Sequence, residues 1–127
     1  MSTKVLLDTC VLIDFFNGLP GAAKEIDSHP DRAISIITWI EVMVGTTAST
    51  ETDTRSYLAT IPVLALDNTV AEKAVNLRTS RLLAGERNLK LADASILATA
   101  QVSERILVTR NTKDFPANHQ GIRIPKY

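Results

Sequence analysis

"LLDTCVLIDFF", residues 6–16, ends an apolar run on Asp8 and then sets a second carboxylate, Asp14, inside the next apolar stretch. With Lys4 and Val5 ahead of it, "KVLL" (4–7) reads as a short strand that is apolar throughout. That is the pattern of a parallel strand covered on both faces. "VLIDFFNG" then reads as a helix closing at Gly18. Asp8 therefore stands where a buried strand stops and a helix starts. Its role as an N-cap would by itself account for it.

The alternation continues along the chain. "AISII" (33–37) and "RILVT" (105–109) read as strands, "IPVLAL" (61–66) as a strand whose proline suits a start or an edge, and "GIRI" (121–124) as a last short strand. Between them lie helical patterns. "GAAKEIDSH" stops before Pro30, "TWIEVMVG" ends at Gly45, and residues 50–60 are helical by composition. "NTVAEKAVNLRTSRLLAG" (68–85) places Val70, Ala74, Leu77 and Leu82 at helical spacing, with Gly85 as its stop. "LADASILATAQVSE" (91–104) is a further helix. The pattern predicts an α/β fold with a mainly parallel sheet flanked by helices. A chain of 127 residues without repeat or linker suits a single domain, 1–127.

Hydrophobic residues at 45% and charged residues at 22% are ordinary globular usage. A single cysteine, Cys10, excludes an internal disulfide and a C-x-x-C zinc site, and points to the cytoplasm. No stretch suits a signal peptide or a transmembrane helix, so no membrane association is expected. Net charge is zero, which argues against a protein that coats nucleic acid. Its distribution is uneven. Residues 1–72 carry 4 Lys/Arg against 10 Asp/Glu, and residues 73–113 carry 8 against 3. Such a split suits an acidic pocket beside a phosphate-contacting surface, or simply solvated helix faces of opposite sign.

In a parallel sheet, ligands gather beyond the carboxyl ends of the strands. Four carboxylates map there: Asp8, Glu41, Asp93 and Asp114. Each has a local explanation. Asp8 fits an N-cap, and Thr38 with Glu41 fits a capping box. Asp93 lies in a first helical turn, where the dipole favours an anion, and Asp114 follows a strand in turn-forming "RNTKDF". Together they are harder to dismiss, because four converging anions repel unless a cation neutralises them. Oxygen donors suit magnesium or manganese, and the absence of a His-rich pattern disfavours zinc. Asp14 lies about 1.7 helical turns past Asp8 and reads as structural, facing elsewhere. Trp39, Val42 and Met43 read as core, and His29 and His119 as surface residues.

"VLLDTCVLIDFF", "SIITWIEVMVG", "LADASILATA" and "LVTRNTKDF" together resemble the PIN-domain ribonucleases, specifically the VapC-type toxins of toxin–antitoxin pairs. The resemblance spans almost the whole chain. It includes Ser35, Thr38 and Glu41 followed by Gly45, and Thr109, Arg110, Asn111, Asp114 and Phe115. It implies a three-layer PIN-like fold with a sheet of about five strands. It further implies an acidic catalytic and metal site of Asp8, Glu41, Asp93 and Asp114, with Thr9 and Asn111 in support. The activity implied is Mg²⁺- or Mn²⁺-dependent endoribonuclease, leaving a 5′-phosphate and a 3′-hydroxyl. A homodimer and a cognate antitoxin are implied partners. Arg78, Arg81, Arg87, Lys90 and Arg110 are candidate RNA contacts. Two positions depart from the pattern: Cys10 stands where relatives often have Asn or Ser, and Leu89-Lys90-Leu91 lacks a proline common before the Asp93 helix.

A haloacid-dehalogenase-like phosphatase would need a second Asp at position 10, and a receiver domain an Asp that "AISIITWIE" lacks. The alternative that stays open is a non-catalytic nucleic-acid or partner-binding module on the same fold.

Overall fold

The computed structural model describes residues 3–86, 88–115 and 121–127. Five strands form one sheet: β1 (Val5–Leu7), β2 (Arg32–Ser35), β3 (Val63–Leu64), β4 (Ile106–Val108) and β5 (Ile122–Arg123). Their order is β3-β2-β1-β4-β5 and every pairing is parallel. The six helices are α1 (Thr9–Phe16), α2 (Pro20–Asp27), α3 (Ile36–Val44), α4 (Glu51–Leu58), α5 (Asn68–Leu83) and α6 (Leu91–Val102). The chain builds outward from β1 to β3, then returns to lay β4 on the other side of β1. The strand order thus reverses between β1 and β4, which is where such sheets open a crevice at their carboxyl ends.

Strand alternation divides the core in two. Leu6, Ala33 and Leu107 face the layer of α5 and α6, packing with Ala74, Leu97 and Phe115. Val5, Leu7, Ile34 and Val108 face the other layer, against Leu12, Ile26, Val42 and Leu58. Trp39 and Met43 pack partly buried on this second cluster, as the helical stripe predicts. At the amino end of the sheet, Arg105 Nη1 donates to the carbonyls of Val5 and Asp31 and to the Asp31 carboxylate, each at 3.1 Å.

One boundary differs from the sequence reading in a way that matters. "AISII" is not one strand: Ser35 ends β2 and its hydroxyl accepts from the Ile37 amide at 3.0 Å, so Ile36 and Ile37 open α3. Ser35, not Thr38, is therefore the N-cap, and no capping box forms between Thr38 and Glu41. Thr38 is carried into the helix and buried. His29 also departs from expectation. It is only 12% exposed, with Nε2 2.6 Å from Glu25. His119 lies outside the described residues.

Leu6 is fully buried in the middle of the central strand. Leu6→Ala is expected to lower stability by about 2–5 kcal/mol. Urea unfolding should show a lower midpoint at unchanged slope.

Candidate active site

Asp8 leaves β1 and caps α1, its Oδ1 accepting from the Thr9 amide at 2.8 Å. Its Oδ2 accepts from the Thr109 hydroxyl at 2.6 Å and lies 3.5 Å from Cys10 Sγ. Thr109 directly follows β4, so this bond spans the reversal point of the sheet. Sequence reasoning placed Thr109 in a motif but gave it no role. The available signal was its position as the first polar residue after a buried strand paired to β1.

Glu41 reaches the same place from α3. The Thr9 hydroxyl donates to Glu41 Oε1 at 2.7 Å and stands 3.0 Å from the Thr38 hydroxyl. The three-residue spacing of Ser35, Thr38 and Glu41 thus gives the cap, a buried brace and an acid along one helix. Asp93 lies in the first turn of α6. Asp8, Glu41 and Asp93 line one cleft of about 410 Å³ together with Thr9, Cys10, Asp14, Arg110 and Asn111. Asp114 is buried, with Oδ2 3.0 Å from Asn111 Nδ2 and its amide donating to Asn111 Oδ1 at 3.3 Å. Asn111, which lines the cleft, bonds to it, and the charge of Asp114 acts on Asp93.

The electrostatics reflect this convergence. Asp93 is pushed up to about 6, first by burial and then by the charges of Asp8, Asp114 and Glu41, with Lys90 offsetting part of the effect. Burial raises Asp8 as well, against the opposing hydrogen bonds from Thr109 and Thr9. Burial and the adjacent Asp8 raise the Cys10 thiol, so the thiolate is disfavoured. Among the described residues, no three His, Cys, Asp or Glu side chains stand close enough to enclose a metal ion. Asp8, Glu41 and Asp93 nonetheless bring carboxylate oxygens to one cleft. That fits magnesium, which keeps several waters and takes one or two carboxylates plus substrate oxygens.

Asp14 does not face elsewhere. It lines the same cleft, and its carboxylate takes both Nε and Nη2 of Arg110 and the hydroxyl of Tyr127. The Arg110 hydrogen bonds hold it below the ordinary carboxylate range. The other basic candidates are scattered. Arg81 donates to the Asp114 carbonyl at 2.6 Å, and Lys90 is exposed at the N-cap of α6. Arg78 lines an apolar groove between α5 and α6, where its Nε is buried without a partner among the described residues. Arg87 lies outside the described residues.

The PIN domain family matches residues 5–118. The chain belongs to the PIN-domain family. A toxin–antitoxin complex from Klebsiella pneumoniae contains a chain 42% identical to this one, with a TM-score of 0.87, covering 97% of this chain and 98% of that one. FitAcB from Neisseria gonorrhoeae is 25% identical over 96% of this chain and 98% of that one, at a TM-score of 0.82. VapBC2 from Rickettsia felis, bound to a DNA fragment from its promoter, shares the fold. Its TM-score is 0.80 at 19% identity, covering 94% of this chain and 96% of that one. No curated protein matches the chain by sequence.

Because Asp93 binds its proton more tightly folded than at its ordinary value of 3.8, its contribution to stability is full below about pH 4 and is lost as pH rises through about 6. Asp93→Asn should remove that loss. In EDTA, the variant is expected to gain in melting temperature relative to wild type between pH 4 and 7. Parallel curves would show that Asp93 is not under this strain.

Proposed function

We propose that this protein is a metal-dependent endoribonuclease, the toxin of a toxin–antitoxin pair. The observation that carries the reading is the cleft at the strand reversal, where Asp8, Glu41 and Asp93 meet and burden one another electrostatically. Asp8, Glu41, Asp93 and Asp114 would hold Mg²⁺ or Mn²⁺, with Asn111 bonded to Asp114. When bound, the cation makes a coordinated water more acidic and offsets charge gathering on the phosphate.

The chain's own residues do the rest. Thr109 and the Thr9 amide fix both oxygens of Asp8, and the Thr9 hydroxyl fixes Glu41. These bonds orient the carboxylates before substrate arrives, so little reorganisation is left to the reaction. Water attacks phosphorus in line, the bond from phosphorus to the 3′ oxygen breaks, and that oxygen takes up a proton. The products are a 5′-phosphate and a 3′-hydroxyl. Lys90 and Arg110, beside the acids, are the proposed phosphate contacts, with Arg81 supporting the Asp114 turn; Arg78 and Arg87 remain candidates from the sequence alone. The partner is an antitoxin protein, as the Klebsiella relative's complex supports, and the toxin itself is a homodimer acting in the cytoplasm.

The test uses purified chain free of antitoxin, incubated with total cellular RNA and Mg²⁺, Mn²⁺ or EDTA. Discrete fragments are expected with metal only. Asp8→Asn and Asp93→Asn should each slow cleavage more than about a hundredfold, and Thr109→Val about ten- to a hundredfold. Mn²⁺ should raise the melting temperature of wild type at pH 7 and do so less for Asp93→Asn. A folded protein that binds RNA and cuts none under any of these conditions would return the non-catalytic binding module.

A further inference from the structure

Arg110 directly follows Thr109, so its backbone is fixed beside Asp8, and its amide donates to Cys10 Sγ at 3.4 Å. Its side chain lines the acidic cleft and is 43% exposed. An unrestrained guanidinium there would pair with Asp8 or Asp93 and cancel the charge a cation needs. Instead Nε and Nη2 grip Asp14 bidentately, the second bond being 2.8 Å. Tyr127 completes the mount. Its hydroxyl donates to Asp14 Oδ2 at 2.7 Å, and its ring centre lies 5.8 Å from the guanidinium carbon. Arg110 Nη1 makes no hydrogen bond with any described residue. Guanidinium geometry is rigid, so fixing two nitrogens also fixes where the third one donates.

We propose that Asp14 and Tyr127 are positioning residues that hold Arg110 as a preset contact for a backbone phosphate of the RNA entering the cleft. The same mount keeps the guanidinium off the metal-holding carboxylates. This inference rests on the endoribonuclease reading above. Asp14 neutralises most of the arginine's long-range field, so Arg110 acts by a directional hydrogen bond at contact rather than by attraction from afar.

The test measures binding of a labelled single-stranded RNA oligonucleotide of mixed sequence to the full chain carrying Asp93→Asn, across a range of salt. Adding Arg110→Gln is expected to weaken binding about tenfold and lower the salt slope by about 0.7, one phosphate contact on a single strand. Arg110→Lys should not restore affinity, because an ammonium cannot hold Asp14 with two nitrogens and still offer a third. Tyr127→Phe keeps the ring and loses the hydroxyl. In the otherwise wild-type chain it should raise KM several-fold at nearly constant kcat, a split that a merely destabilised protein would not give. Asp14→Asn frees the guanidinium, and the Mn²⁺-induced rise in melting temperature should shrink. If the Asp93→Asn chain binds RNA and Arg110→Gln changes neither affinity nor slope, the positioning role is overturned. If Arg110→Gln does not fold, the KM of Tyr127→Phe decides, an unchanged KM overturning the proposal. A wild-type chain that neither binds nor cuts RNA overturns the endoribonuclease reading itself, and this inference with it.

Discussion

The hydrogen bond from Thr109 to Asp8 joins two residues 101 positions apart in the chain, brought together by the pairing of β1 with β4. It is possible because the sheet reverses its order there, so that the first and fourth strands end side by side. Asp8 is almost fully buried, and an ionised carboxylate in that position needs donors on both oxygens. The Thr9 amide and the Thr109 hydroxyl supply them. Everything else at the cleft is referred to this point: Thr9 carries Glu41, Arg110 and Asn111 follow Thr109, and Asn111 holds Asp114.

The chain's uneven charge also takes on a spatial meaning. Arg105 pairs with Asp31, Arg110 with Asp14 and Arg123 with Glu25. Each pair ties an acid of the first half to an arginine of the second, between elements that are close in the fold but distant in sequence. Glu25 is held below its ordinary range by Arg123 and His29, and is buried. The halves are therefore joined by complementary ion pairs. Among the described residues, Arg110 lines the acidic cleft and Lys90 acts on Asp93, and the placement of these cations matters more than their number.

The alternation of strands and helices was legible because β1, β3 and β4 are apolar throughout and most of the helices carry their own stop residue. The parallel sheet followed from that alternation. What could not be read was where a strand yields to a helix inside a continuous apolar run. Ile36 and Ile37 look like strand, and only the Ser35 hydroxyl turned back onto the Ile37 amide decides otherwise. Among the acids, the position of each at a strand end or helix start was visible, but its contacts were not. Asp114 bonds to Asn111 across a turn, a contact that its place after β4 suggests and its spacing alone does not fix. Helical angle alone points Asp14 away from Asp8, but Arg110 and Tyr127 come to it from other elements, and a periodicity within one helix carries no information about them.

Gly21 has no side chain and takes part in no reaction, yet a Cβ there would lie 2.1 Å from Tyr127 Cβ. It sits in the first turn of α2, where alanine would strengthen an isolated helix by about 1 kcal/mol. The fold forgoes that gain so that an aromatic ring can lie flush on the helix. Any larger residue at position 21 would lift the ring from its seat, and the displacement would pass through Asp14 to the arginine at the mouth of the cleft. A position that is chemically mute thus sets a steric tolerance on the acidic cleft, and substitution at α2 is constrained from a distance by the arginine that follows β4.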